Sequence, residues 1–344
     1  MIRGDSLYCP LSFSLDSYWN CEADCYHCYL RRLNYIWGKD LRPLDIENFQ
    51  KILINGLKNK APKTSLAYAL QQKKTIKWGN KSDPFQSAEK KYKIAEAVFK
   101  NFRKLNWSFV IQTMFTENMM YYYDQIIESK DLCVIMPVIS PGAELDWEIL
   151  ETKRTTPIQD RIKHIKILLQ TGVSVGVNGE PFIPGYHTVE QFEDCIRRLK
   201  SAGIKSYNIY NLHFNDFVAK RLNSIEIDIE RIWFYNQDHQ WQLILQQLID
   251  ISKQYGIVLG CPDFVNSGQY VELTNTCCGI SVSNPCTWNM ATMKKKLLQG
   301  KTFEQAIEEC WDNVGNYEKG IDAMLGKNTN VYSLKDCGFL TVGQ

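Results

Sequence analysis

Tyr18-Trp19-Asn20-Cys21-Glu22-Ala23-Asp24-Cys25-Tyr26-His27-Cys28-Tyr29 is the stretch around which this chain is organised, and its cysteines are spaced C-x3-C-x2-C. Three thiolates on one short loop can each hold one iron of a cubic 4Fe-4S cluster. No fourth cysteine follows at close range, so one iron is left for an outside ligand. An iron kept open is a chemical tool rather than a staple. Cys21, Cys25 and Cys28 are therefore the expected metal ligands. The second reading is a zinc site with a distant fourth ligand, belonging to a zinc-dependent binding module. Zinc sites more often recur in C-x2-C pairs.

Working outward, the chain has 344 residues, enough for one large or two small domains. Its twelve cysteines come with no signal-peptide core at the N-terminus. That combination suggests a reducing, cytoplasmic setting and metal binding rather than disulfides. No run of about 18 apolar residues is present, so no membrane span is expected. A formal net charge of +2 gives no global argument for nucleic acid, although a local basic groove stays open.

The pattern alternates strand and helix. Strands are expected at 11–19, 75–78, 107–111, 132–138, 173–177 and 206–210, and helices at 44–58, 88–103, 117–129, 158–171 and 188–202. Helical segments between successive strands imply parallel pairing with crossovers. Six such units make an α/β fold, a partial (β/α)6 barrel over 1–215, with its chemistry at the carboxyl ends of the strands. Residues 216–344 read as a C-terminal cysteine-rich extension that closes the open side. It contains a helix at 238–255 and two more near 290–312 and 317–325.

The cysteine stretch, with Ser14-Leu15-Asp16-Ser17-Tyr18 before it and Cys28-Tyr29-Leu30-Arg31-Arg32 after it, resembles the radical S-adenosylmethionine (radical SAM) enzymes. The flanks look like the branch that contains spore photoproduct lyase. The resemblance implies a 4Fe-4S cluster that cleaves S-adenosylmethionine to a 5′-deoxyadenosyl radical, and a reductant such as flavodoxin or ferredoxin. His27 holds the place where members often carry an aromatic near the adenine. Ser82 and Asp83, just past the second strand, match a Ser-Asp that holds the methionyl end. Ser140 fits a ribose contact, and Asn178 and Glu180 sit beside a turn similar to the branch's P-x-I-P-G. Arg161 matches a recurrent arginine, and Tyr210, near Asn211 and His213, could flank the adenine.

One departure matters for substrate. The lyases place a hydrogen-donating cysteine three residues before the aspartate, and Asn80 stands there. Repair by the usual thiol route is therefore not expected. Modification or isomerisation of a thymine-like pyrimidine in DNA is the first reading, with Cys133, Cys277 or Cys278 as hydrogen donor. Arg197, Arg198, Lys200 and Lys294-Lys295-Lys296 are candidate phosphate contacts. The alternative is modification of a peptide or small metabolite. There, Cys261 and Cys286, with Cys277-Cys278 between them, would carry a second iron–sulfur cluster or a zinc.

Overall fold

The computed structural model describes residues 2–4, 13–30, 40–60, 70, 71, 73, 75–260, 299–301 and 305. The chain opens with β1 (Ile2–Gly4) and β2 (Phe13–Leu15). The cysteine loop follows, then α1 (Ile46–Lys58) and β3 (Ile76–Trp78). Next come α2 (Glu89–Tyr92), α3 (Ile94–Leu105) and β4 (Phe109–Thr113). Then α4 (Thr116–Met119), α5 (Tyr123–Glu128) and β5 (Cys133–Pro137). They lead to α6 (Glu144–Ile149), α7 (Ile158–Gln170), β6 (Ser174–Val175) and β7 (Val177–Asn178). The described part ends with α8 (Val189–Ser201), β8 (Ser206–Asn208), α9 (Asp216–Asn223), α10 (Ile229–Tyr235), α11 (Asp238–Gln254) and β9 (Val258–Gly260).

Strands β2 to β6 pair in sequence order and in parallel, with β1 antiparallel on the outer edge. A second parallel set runs β7-β8-β9. The two sets are joined where Val138 pairs with Asn178 and the Ile139 N–H donates to the Asn178 carbonyl at 2.9 Å. The fold is thus the expected α/β partial barrel, and every βα junction opens on one face. The expected fifth strand is split in two, with Gly176 between its halves. The α11–β9 unit continues the same parallel layer past residue 215.

Two apolar cores flank this layer. Against β2–β5, Trp78 is fully buried and packs edge-on to Phe99, with ring centroids 5.1 Å apart. Phe102 stacks on Phe109 at 4.7 Å. Against β7–β9, α8 and α11 supply Phe192, Ile196, Leu245 and Leu248. The amphipathic spacing that marks these helices in sequence is the spacing of the buried stripe. The Thr188 hydroxyl caps α8 in a reciprocal box with Gln191.

Boundaries differ where local backbone chemistry intervenes. The expected helix 88–103 breaks at Lys93, which adopts a left-handed φ of 49° and divides α2 from α3. The expected helix 117–129 starts at Thr116 and is interrupted by a 3-10 turn at Met120–Tyr122. Among the described residues no helix is long and apolar enough to cross a membrane. Cys261, Cys277, Cys278, Cys286 and Lys294-Lys295-Lys296 lie outside the described residues.

Candidate functional site

The carboxyl ends of the strands open on a cleft of about 160 Å³. Its walls are the cysteine loop after β2, residues 79–83 after β3, residues 112–114 of β4 and its end, Val138 after β5 and Glu180 after β7. A larger cavity of about 310 Å³ lies between β2 and α1 and carries none of the three thiols.

The cysteine loop is fixed before it reaches the cleft. The Tyr18 hydroxyl donates to the buried carboxylate of Glu89, which also accepts from Tyr122 at 2.6 Å. Gln86, fully buried, accepts from the Glu22 N–H at 2.6 Å and donates to the Asn20 carbonyl at 2.8 Å. One amide thereby spans the residues on either side of Cys21.

None of the three cysteines is in a disulfide; Cys25 is buried and the others are half-buried. The backbone at Asp83 and Ala23 favours the Cys21 thiolate, against the larger effect of burial. Cys25 Sγ is 3.8 Å from Met114 Sδ. Burial, then the Asp83 carboxylate, pushes the Cys21 thiol up to about 12. Burial and the Glu151 charge raise Cys25 well above its ordinary value. Metal binding at these thiols must therefore displace protons.

Among the described residues no three His, Cys, Asp or Glu side chains converge on one point that a single ion would occupy. A lone zinc with bonds of about 2.3 Å needs its sulfurs roughly 3.8 Å apart. Cys21, Cys25 and Cys28 line the same cleft and feel one another's charge, three neighbouring thiol donors of the kind a cubic iron–sulfur cluster takes. The donor set thus fits the cluster.

The turn after β3 is shaped by a residue the functional reading of the sequence overlooked. Asp16 Oδ1 accepts from the backbone N–H groups of Asn80, Lys81 and Ser82 at 3.2, 2.7 and 3.1 Å. A trans peptide sets each C=O opposite its N–H, so the carbonyls of residues 79–81 face away from Asp16. They form an edge able to accept from a cation such as an ammonium. Gly79 makes the turn possible. Its φ is +94°, and a Cβ there would stand 2.4 Å from the Gln112 carbonyl oxygen.

Ser82 and Asp83 line the cleft, but their side chains are committed inward. The Ser82 hydroxyl donates to the Tyr18 carbonyl at 2.7 Å. Asp83 accepts from Phe85 N–H at 2.9 Å, Thr113 hydroxyl at 2.7 Å and Met114 N–H at 2.6 Å. Burial still raises its carboxyl to about 6. The pair ties β3 to β4 and offers mainly backbone to a ligand.

Ser140 is also turned inward. Its hydroxyl donates to Asp146 at 2.5 Å, and Asp146 accepts from His187 Nε2 at 2.8 Å. Ile183 N–H donates to His187 Nδ1 at 2.8 Å, so Nε2 carries the proton. Burial works to raise Asp146, yet His187 and Ser140 hold it below its ordinary value. His27, on the cysteine loop, feels the charge of Asp146 and His187 without a hydrogen bond to either. Its Nδ1 is buried with no hydrogen-bond partner, and burial lowers its basicity.

Arg161 is fully buried and makes no cleft wall. It pairs with Glu151 and donates to the carbonyls of Val138 at 2.5 Å and Thr156 at 2.7 Å. The end of β5 is thereby fixed to the start of α7. Asn178 donates to Glu180 at 3.4 Å, and its own Oδ1 is a buried acceptor with no donor in reach. Glu180 is the one of the two that lines the cleft. Tyr210 stacks on His213, centroids 6.2 Å apart, and His213 meets Tyr29 at 4.7 Å. Cys133 is fully buried at the amino end of β5, opposite the mouth, with its thiol raised to about 12 by burial. It cannot reach a substrate in the cleft. Arg197 pairs with Asp194, and Arg198 grips Glu144 at 2.7 and 2.6 Å, so these expected phosphate contacts are already matched.

A partial parallel α/β barrel with three thiols at its mouth is the class that fold and site define. Among solved structures, this fold is similar to SuiB of Streptococcus suis. The crystal structure of SuiB bound to S-adenosylmethionine matches with a TM-score of 0.52 at 11% identity, over 75% of this chain and 52% of SuiB. SuiB bound to its precursor peptide SuiA matches with a TM-score of 0.52 at 12% identity, over 96% of this chain and 65% of SuiB. The chain thus spans about half to two thirds of SuiB's length, and at such identity the likeness is one of fold. No family model matches the chain, and no curated protein matches it in sequence.

Proposed function

We propose that this protein is a radical SAM enzyme that modifies a peptide. Cys21, Cys25 and Cys28 would hold a 4Fe-4S cluster with one open iron. When bound, the cluster supplies the electron that splits S-adenosylmethionine into methionine and a 5′-deoxyadenosyl radical, which takes hydrogen from the substrate. The chain's own residues orient and enclose. The carbonyl edge of residues 79–81, set by Asp16, accepts from the methionyl ammonium. Glu180 and the Tyr29–His213–Tyr210 stack border the nucleoside and substrate. Hydrogen return would fall to Cys277 or Cys278, or to 5′-deoxyadenosine itself.

The observation that carries this reading is the placement of three thiols beside that carbonyl edge at the strand ends. The shared fold with a S-adenosylmethionine-bound structure supports the cofactor. The fold shared with a peptide-bound structure, over 96% of this chain and 65% of SuiB, favours peptide over nucleobase. The pairing of Arg197 and Arg198 with carboxylates withdraws part of the argument for DNA.

The test is anaerobic reconstitution followed by S-adenosylmethionine and dithionite. The native protein should bind about four irons and release 5′-deoxyadenosine. Cys25→Ala should release none, and equal release from both would sink the cluster assignment. Peptide pools and single- or double-stranded DNA are then offered in parallel. Substrate-dependent turnover with DNA alone would restore the pyrimidine reading.

A further inference from the structure

The cysteine loop is gripped from far along the chain by one guanidinium. Arg221 on α9 donates from Nη2 to the carbonyls of Asp24 at 3.1 Å and Cys25 at 3.3 Å. Its Nε donates to the Tyr26 carbonyl at 3.3 Å. Nη2 also meets Asp24 Oδ1 at 3.1 Å, and the guanidinium lies over the Tyr26 ring, 5.1 Å from its centroid. Asp24 needs that hold, because its φ of 50° is one that L residues rarely adopt. The opposite side of the loop is pinned by the Tyr26 N–H, which donates to the Leu150 carbonyl at 2.8 Å. Tyr26 packs with Leu150, Leu212, Val218 and Leu222, so the arginine stands on a small apolar platform.

We propose that Arg221 is a positioning residue for the iron–sulfur cluster, one that both shapes the loop and sets the cluster's potential. The inference rests on the cluster reading above. The shaping follows from peptide geometry. Carbonyls of residues 24–26 spent on Arg221 turn the N–H groups of Cys25 and His27 the other way. The ligand loop then offers donors, not acceptors, to the side away from the arginine. The potential follows from charge. A cubane of formal charge 2+ with three thiolates carries 1−, and its reduced form carries 2−. A fixed positive charge nearby favours the second more than the first.

Lysine keeps the charge but not the fork, so two variants separate the two effects. Native protein, Arg221→Gln and Arg221→Lys are reconstituted anaerobically. Iron and sulfide content, the rate of iron loss to a chelator, and the reduction potential are measured on each. Circular dichroism of the iron-free forms reports folding. Arg221→Gln should lose iron roughly tenfold to a hundredfold faster, the range found for residues that orient metal ligands, and should have a lower potential. Arg221→Lys should recover the potential and leave the iron loss fast. Arg154→Gln, which removes a more exposed pair to the Asp24 side chain at 3.2 Å, should match native protein in both. A native protein that binds no iron refutes the cluster reading itself. A native protein that binds iron, with Arg221→Gln equal to it in loss rate and potential, refutes the role of Arg221 alone. If Arg221→Gln does not fold, Arg221→Lys decides: slow iron loss overturns the shaping, and a potential below native overturns the charge effect.

Discussion

Two turns face each other across the cleft and are held by opposite charges. The turn at 80–82 is wrapped around a carboxylate, Asp16, that consumes three N–H groups. The turn at 24–26 is wrapped around a guanidinium, Arg221, that consumes three carbonyls. A peptide unit has one donor and one acceptor pointing opposite ways. Satisfying one side from within the protein therefore decides what the other side can offer. The first turn is left with acceptors, suited to a cation. The second is left with donors, suited to an anion. On the proposed reading, a molecule carrying an ammonium beside an anionic cluster would find a complementary partner at each turn. The polarity of this mouth is thus set by residues that need not touch the ligand.

The largest test of this contrast is Arg161, a guanidinium that also fixes carbonyls but is fully buried with Glu151. Removing one partner of a buried pair costs about 3–5 kcal/mol because the other charge is stranded. Arg161→Ala should therefore lower unfolding stability by that amount in urea titrations. A loss under 1 kcal/mol would mean that Glu151 finds water or another donor. Next comes Asp16. Asp16→Ala strands three amides and should cost about 2–3 kcal/mol. Asp16→Asn keeps an acceptor but loses the charge assistance, and should cost about half as much. Both should weaken S-adenosylmethionine binding, measured calorimetrically, more than they weaken iron retention. The reverse order would break the assignment of the two turns to two ligands.

Much of this frame was legible in the sequence, and the contrast between the turns was not. The cysteine loop, the parallel rhythm and helices such as 158–171, found as Ile158–Gln170, follow from local periodicity and turn chemistry. Asp16 and Arg221 act on residues 64–66 and 195–197 positions away. No local pattern marks an aspartate whose acceptor is aimed at a distant turn. Ser82, Asp83 and Ser140 were recognisable as polar residues at strand ends. Which way their oxygens point depends on Tyr18 and Thr113, which only the folded chain brings near, and on Asp146, which the turn into α6 sets against Ser140. The α9 helix that carries Arg221 has eight residues, too short for a periodic signal to stand out.

The smallest effect comes from a pair that grips as well as Arg221 does but holds no turn. Arg198 meets Glu144 with two bonds, at 2.7 and 2.6 Å, and links α8 to α6 at the surface. The side chains are 27% and 45% exposed, so water competes for both charges. Glu144→Gln should cost about 0.5–1 kcal/mol at neutral pH and less in high salt. The sign with pH follows from the carboxylate. The bonds from Arg198 hold Glu144 below its ordinary value. Its contribution is therefore complete above the unfolded value of about 4.3 and fades as pH falls through the folded one. Urea midpoints of native and Glu144→Gln protein should differ at pH 7, and the difference should shrink as pH falls below the unfolded value. A difference that does not shrink as pH falls would mean that the pair acts through packing rather than charge. A loss beyond 2 kcal/mol at pH 7 would place it with Arg161 among buried pairs. Bond count would then outweigh burial, and the distinction between a charge that shapes a turn and one that decorates a surface would fail.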